Sequence, residues 1–404
     1  MIKVKDDATM AFMLCYLQFA FIVASLTGID GNTAFYAGGA SFLLIGLFLL
    51  IYRVGTGGTV SVRYLLLCCV LAAPLILIPV EKHNIYMRLF TLQLLVLIYL
   101  FSEFKLSVAT FSKCINVAYL VYFALSVINW LDIVSLVPHG SENSFLIKLG
   151  GMTVETLFGV GGSTADIDSY SGLILIWNFF VNKNGRYRFL MIAVSAFAML
   201  MTFRMTPLVA LMVAFLAYLF VFNRFLALLA VLVPALVFAA VLLLLHFEPS
   251  ASVPFITPSM DCYTLMWKAT HARSSIWIGQ IYYYLTEFNL FDFVLGPLDE
   301  RMTVEFVDGD GRVHSESYNP HSTYLAMLFR STVIFALFYL LFLVAVARRS
   351  RKSTFPVIFF ISIVAYTNAG ILGVQNPTYL LVLLYVLIGL PRDKFRARPD
   401  STPD

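Results

Sequence analysis

FLALLAVLVPALVFAAVLLLLHF, residues 225–247, decides the fold class: it contains no Lys, Arg, Asp or Glu over its whole length. A helix crossing a bilayer needs about 20 mostly apolar residues. The run is continuous rather than alternating, which is the pattern of a helix in lipid and not of a barrel strand. Working outward from it, further apolar runs lie near 9–27, 34–52, 64–80, 87–102, 115–135, 169–181, 188–203, 205–222, 322–347, 355–373 and 376–390. The spacing predicts an all-α, polytopic membrane helical bundle of about 12 transmembrane helices. The run at 169–181 is short, and the turn between the two runs that meet at 203–205 is very tight.

Composition agrees. Hydrophobic residues make up 60% of the chain and charged residues 12%, against about 45–50% and about 25% in soluble domains. Mean hydropathy is +0.86. A soluble globular domain is excluded on this count, and the chain reads as one transmembrane domain over 1–404. Of the five cysteines, Cys15, Cys68, Cys69 and Cys114 fall in or beside apolar runs and Cys262 stands alone, so no disulfide framework is expected. The first run is long enough to span and no small-residue cleavage site follows it, which argues against a cleavable signal.

Orientation follows from the basic residues. Lys3, Lys5, Arg53, Arg63, Lys105, Lys113, Lys183, Arg186, Arg188, Arg224, Arg348, Arg349, Arg351, Lys352 and the tail residues Arg392, Lys394, Arg396 and Arg398 all fall on one side if both termini are cytoplasmic. The opposite loops, such as 138–168 with Glu142, Glu155, Asp166 and Asp168, lean acidic. The long polar segment 248–321, between the ninth and tenth spans, is thereby placed outside the cytoplasm, with 391–404 as a cytoplasmic tail. A membrane protein gains little from so long a loop unless it binds or transforms something.

Glycine-rich stretches at Gly55–Gly58 and Gly159–Ser163 do not follow a strand and open a helix, so they read as turns and not phosphate loops. Asp308-Gly-Asp310-Gly311 resembles a calcium loop for four residues, but Arg312 occupies a ligand position and no glutamate closes it. A hairpin tip is the better reading of Gly309–Gly311. No His and carboxylate cluster has zinc spacing, and no cofactor is implied.

Three positions stand out. Arg204, in Met199-Leu-Met-Thr-Phe-Arg204-Met-Thr-Pro207, is flanked by two apolar runs. An arginine inside a bilayer costs about 2.5–3.5 kcal/mol and usually faces a cavity with a partner; a headgroup-snorkelling arginine is the alternative. Arg273 lies in a segment, 261–288, with helical periodicity, and Arg273, Trp277, Gln280 and Tyr284 share one face. The planar guanidinium fork suits a phosphate or diphosphate, while Trp277 and Tyr284 suit either sugar stacking or an interfacial anchor. His321 opens the tenth run after Asn319-Pro320, and a neutral imidazole there can accept a proton from a hydroxyl. Ser322 or Thr323 would cap the helix better, so capping does not account for the histidine. Asn319 and Tyr324 flank His321 and are grouped with it as substrate-binding candidates.

Three segments in order resemble a known family. Thr202-Phe-Arg204-Met-Thr-Pro-Leu-Val-Ala210, Arg273-Ser-Ser-Ile-Trp277 with Leu295-Gly296-Pro297, and Pro320-His321-Ser322-Thr-Tyr324-Leu325 are similar to elements of the bacterial O-antigen polymerase and O-antigen ligase family. They lie in the second half of the chain. The family's members are polytopic glycosyltransferases that use polyprenyl-diphosphate-linked glycans. The resemblance implies a multi-pass protein of the bacterial inner membrane, its active site facing the periplasm across the 248–321 loop. It implies catalytic roles for Arg273 and His321 and diphosphate binding by Arg204. The reaction it implies is metal-independent and inverting. Its partners would be the lipid-linked donor, a glycan or lipid-linked acceptor, the bilayer and a chain-length regulator, with no nucleic acid. Ligases carry a glycine pair within the span after the histidine, where this chain has Thr332 and Phe335, so a polysaccharide polymerase is the expectation. The rivals are a ligase and a twelve-helix secondary transporter or lipid-linked-glycan flippase. Transporters of this size usually show repeat symmetry and midplane charges; here no repeat is visible and the charged candidates gather at one rim.

Overall fold

The apolar runs fold as helices wherever the structure describes them. The computed structural model describes residues 6–26, 31–55, 60–77, 82–104, 106–136, 146–149, 152–160, 164–220, 303–307, 313–317, 324, 333–367 and 377–390. Of these, 82% are helical. In chain order they form α1 (Asp6–Leu26), α2 (Gly31–Gly55), α3 (Val62–Leu77), α4 (Lys82–Glu103), α5 (Val108–Trp130), a hairpin of β1 (Leu146–Leu149) and β2 (Met152–Glu155), then α6 (Thr164–Phe180), α7 (Arg188–Thr202) and α8 (Met205–Phe220). After them come a second hairpin, β3 (Thr303–Val307) and β4 (Val313–Ser317), and then α9 (Val333–Arg349), α10 (Phe355–Thr367) and α11 (Pro377–Leu384), which runs on as a π-helical turn, Tyr385–Gly389. The run at 225–247 lies outside the described residues.

Two expectations need adjustment. Among the described residues one helix, Val108–Trp130, is both long and apolar enough to cross a membrane by itself. Twelve spans are not supported at that standard. Helix α7, bounded by Tyr187 and Phe203, has 15 residues; at about 1.5 Å per residue it is shorter than a hydrocarbon core of about 30 Å. The fold is also not purely helical. β1 and β2 pair antiparallel with Ile147 opposite Val154, inside what reads as an open acidic loop. β3 and β4 pair antiparallel with Val307 opposite Val313; the tip expected at Gly309–Gly311 lies outside the described residues.

Helix α6 is the axis of the bundle. Every residue from Ile167 to Asn178 is buried, and α5, α7, α8 and α10 pack around it. Gly172 permits the close approach of α10: a methyl group there would overlap the Phe360 ring. Trp177 is fully buried and donates Nε1–H to Ser112 Oγ on α5 at 2.9 Å. Its ring meets Phe111 edge-on at 5.3 Å, and Phe111 stacks face to face on Tyr385 at 4.1 Å. Offset and edge contacts of this kind add to the apolar burial of large rings. Below Trp177, Asn116 of α5 and Asn178 of α6 exchange amide hydrogen bonds in both directions, at 3.0 and 2.9 Å. The four described cysteines are free.

The charges sort to the two ends. Arg188 closes the C-terminus of α6, donating to the carbonyls of Asn178 (2.9 Å) and Phe179 (3.1 Å); a cation there also suits the helix dipole. At the same end Lys352, before α10, lies over the Tyr218 ring near the end of α8, 5.2 Å from its centroid. Tyr385, in the π-turn, donates to the Leu106 carbonyl just before α5. The opposite end therefore holds the end of α5, the β1–β2 hairpin, the start of α6, the α7–α8 turn and the start of α11.

Candidate functional site

The site assembles at that second end, and local sequence explains each part. The chain leaves β2 through Thr156–Val160, all of them buried. It is held there by three hydrogen bonds, two to α5 and one to α7. Trp130 at the end of α5 donates its indole N–H to the Glu155 carbonyl at 3.0 Å. Leu157 N–H donates to the Met201 carbonyl at 2.9 Å, and Val160 N–H to Ser126 Oγ at 3.2 Å. The strut thus joins the end of α7 to α5 and delivers the chain into α6 beside the α7–α8 turn. Gly159 and Val160, read from sequence as part of a plain turn, are buried components of it.

The turn itself is a single strained residue. Phe203 ends α7 in the left-handed region, φ 52° and ψ 25°, with its N–H donating to the Leu200 carbonyl. For a residue with a Cβ this conformation costs roughly 1–2 kcal/mol. It allows α8 to begin at Met205, so the tight turn expected at 203–205 is what the backbone forms. Arg204 sits between the two helices and is half-buried.

Opposite it, the first turns of α6 supply Asp166 and Asp168, which precede the apolar run 169–181. Both act electrostatically on Arg204. Asp166 is half-buried; loss of water pushes its carboxyl up to about 6, with the Arg204 charge pulling the other way. Asp168 is 0% exposed. Neither of its oxygens accepts a hydrogen bond within the structure. Its neighbour Thr202 donates instead to the Met199 carbonyl at 2.8 Å. Desolvation raises Asp168 well above the usual carboxylate range, opposed chiefly by Arg204.

Behind Asp168 the bundle carries a buried polar seam. Tyr119 of α5 hydrogen-bonds Ser171 at 2.8 Å. Tyr170 donates to Gln18 Oε1 on α1 at 3.5 Å, and the Gln18 amide nitrogen has no partner. Tyr379 of α11 lies within the field of Asp168 and beside Ser169, and its hydroxyl is unpartnered too. Buried polar groups without a partner are few in native folds, and among the described residues Asp168, Gln18 and Tyr379 are three of them.

Of the residues singled out from sequence, the structure describes two. Arg204 lies at this end of the bundle, within electrostatic reach of Asp166 and Asp168. Tyr324 is half-buried and donates its hydroxyl to the Ser362 carbonyl of α10 at 3.1 Å. Because α8 and α10 pack antiparallel with Tyr218 against Lys352, Ser362 and Arg204 lie toward the same end. Arg273, Trp277, Tyr284, Asn319 and His321 lie outside the described residues. Among the described residues no three His, Cys, Asp or Glu side chains gather as metal ligands.

Asp168 itself escaped the sequence reading, which saw Asp166 and Asp168 only as part of an acidic loop. The available signal was Ser163-Thr-Ala-Asp166, a helix-start pattern, followed two residues later by a second carboxylate at the mouth of an apolar run. No family model, curated protein or solved structure matches this chain.

Proposed function

We propose that this chain is a multi-pass membrane glycosyltransferase that extends a polysaccharide from a polyprenyl-diphosphate-linked donor at the non-cytoplasmic face. The observation that carries the reading is Arg204: a guanidinium set by a strained turn at the acidic end of an apolar bundle. A diphosphate on a lipid tail is the anion that reaches such a place from the bilayer. The membrane setting is supported by large apolar side chains on the outer surface, among them Leu44 (68% exposed), Phe48 (67%), Phe189 (78%) and Met212 (65%), since soluble monomers rarely present extended apolar surface. The separation of Arg188 and Lys352 from Asp166 and Asp168 fits a cytoplasmic basic end.

In the proposed reaction an acceptor sugar hydroxyl attacks the anomeric carbon of the donor. His321 takes the hydroxyl proton as the new C–O bond forms. The bond from C1 to the diphosphate oxygen breaks, and the leaving group departs with the electron pair. Arg204 and Arg273 stabilise the negative charge that grows on that oxygen, a term worth about 2.7–4 kcal/mol for one well-placed donor in an acyl-transfer enzyme. Attack opposite the leaving group inverts the anomeric centre. Trp277, Tyr284, Asn319 and Tyr324 are proposed to line the glycan path.

A second reading is a proton-coupled carrier of a lipid-linked glycan, favoured by one observation: Asp168 is a carboxylate buried inside a helical bundle, a feature of proton relays. One gel of surface glycans from a deletion strain separates the readings. Loss of a polymerase leaves the acceptor capped with a single repeat unit. Loss of a ligase leaves it bare while lipid-linked polymer accumulates, and loss of a flippase leaves lipid-linked single units.

A further inference from the structure

At the basic end, the turn that joins α6 to α7 carries Lys183, Arg186 and Arg188, and the sequence has no acidic residue between Asp168 and Glu248. The turn is tied down by its own backbone. The N–H groups of Val181 and Asn182 both donate to the Trp177 carbonyl, at 2.8 and 3.0 Å, and Arg188 N–H donates to the Gly185 carbonyl at 3.1 Å. Asn182 is buried and donates to Asn178 Oδ1 at 2.8 Å; Gly185 lies so close to its amide that a Cβ there would overlap it. Lys183 and Arg186 are exposed, and among the described residues neither side chain enters a hydrogen bond or ion pair. Arg188 donates to the carbonyls of Asn178, Phe179 and, at 3.4 Å, Lys183, so its charge is placed without being cancelled.

Aromatic rings accompany these cations. Arg186 Cζ lies 5.4 Å from the centroid of the Tyr187 ring. Arg188 Cζ lies 5.3 Å from that of Phe189 and 5.9 Å from that of Phe179. All three rings are exposed. The ring cluster continues toward α8, with Phe179 and Phe180 each 4.9 Å from Phe215, and Phe180 4.5 Å from Tyr218. Cations seated on rings that reach the surface suit a membrane interface, where the ring lies at headgroup depth and the charge meets a phosphate.

We propose that the α6–α7 turn is a docking site for an anionic phospholipid, with Lys183 and Arg186 on its phosphate and Tyr187 and Phe189 beside its glycerol and upper acyl chain. Charge decides the occupant: uncancelled cations stand on a fixed turn, and an anionic leaflet attracts basic groups next to the membrane. The inference uses the membrane setting of the reading above and none of its chemistry.

The test uses the full chain in dodecyl maltoside micelles. Its probes are dioleoyl phosphatidylglycerol and dioleoyl phosphatidylcholine, which share acyl chains and differ in net charge. Native mass spectrometry counts the lipids retained. The wild type should prefer phosphatidylglycerol, and the preference should shrink as salt rises. Lys183→Gln and Arg186→Gln should each weaken phosphatidylglycerol retention about fivefold, the scale of one cation near an anionic surface, and leave phosphatidylcholine unchanged. Both side chains are exposed, so the variants should keep the fold, which thermal melts check. Arg63→Gln, which removes an exposed cation at the start of α3, should change nothing; a loss there equal to that in Arg186→Gln overturns the site, because the lipid would then answer to net charge alone. Displacement of phosphatidylglycerol by excess inorganic phosphate overturns it in favour of a free anion. Equal retention of both lipids by the wild type overturns the choice of lipid. Retention of neither overturns it as well, and that result alone also removes the membrane setting of the proposed function.

Discussion

Leu157, in the buried chain that leads into α6, donates its backbone N–H to the Met201 carbonyl at the end of α7 at 2.9 Å, which fixes the approach to α6 beside the turn that carries Arg204.

Arg204→Ala is expected to reduce glycan polymerisation by about 10²–10³-fold, the scale of losing one preorganised donor. Arg204→Lys should recover only part, because an ammonium lacks the bidentate fork. Immunoblotting of membranes controls for expression while glycan gels read activity. Wild-type gels from Arg204→Ala would remove this residue from the site.

Acidity should stabilise the fold over a defined window. The Asp166 carboxyl is pushed up to about 6 in the folded protein, against about 3.9 in an unfolded chain. Between those values the native state holds more protons than the unfolded state, so stability falls as pH rises through the window and the penalty is fully present above it. Asp168 shifts in the same direction. Melting temperature should therefore rise in the wild type, relative to Asp166→Asn and Asp168→Asn, as pH is lowered from about 7 to about 4. An equal pH dependence in all three proteins would refute the assignment.

Phe203 carries the backbone strain of the α7–α8 turn. Phe203→Asn or Phe203→Gly should match or exceed wild-type stability, as residues that accept a left-handed conformation. Phe203→Val should lose roughly 1–2 kcal/mol more than either, because β-branching aggravates the clash. Thermal melts followed by tryptophan fluorescence compare the three.

At Gly172 the expected change is steric. Gly172→Leu should destabilise by about 1–3 kcal/mol through overlap with the Phe360 ring, and Phe360→Ala in the same chain should recover part of the loss. Additive losses in the double variant would show that the two positions do not touch.

Much of this architecture could be read from the chain because lipid-scale apolar runs leave a backbone few alternatives. The helices follow those runs closely, and the short polar break at Phe203-Arg204 is a turn. Arg204 announced itself as a charge flanked by two apolar runs. Its acidic surroundings did not, because the start of α6 reaches the α7–α8 turn only through the antiparallel return of α7 and the Leu157–Met201 strut, a long-range arrangement that local periodicity does not encode. The β1–β2 hairpin was legible in principle: Leu146–Leu149 and Met152–Glu155 are separated by Gly150-Gly151, a two-residue turn signal. Twelve membrane crossings are not supported among the described residues, where one helix, Val108–Trp130, is long and apolar enough and α7, at 15 residues, is too short to cross unaided.

The reciprocal amide pair between Asn116 and Asn178 has a mechanical consequence. Sliding α5 along α6 by even one residue would break both bonds at once, and that clasp sits near the basic end, beside the Arg188 cap. At the far rim the same α5 is tied again, through Trp130 to the Glu155 carbonyl and Ser126 to Val160 N–H, so it is clasped to α6 and to the chain that enters α6 near both ends.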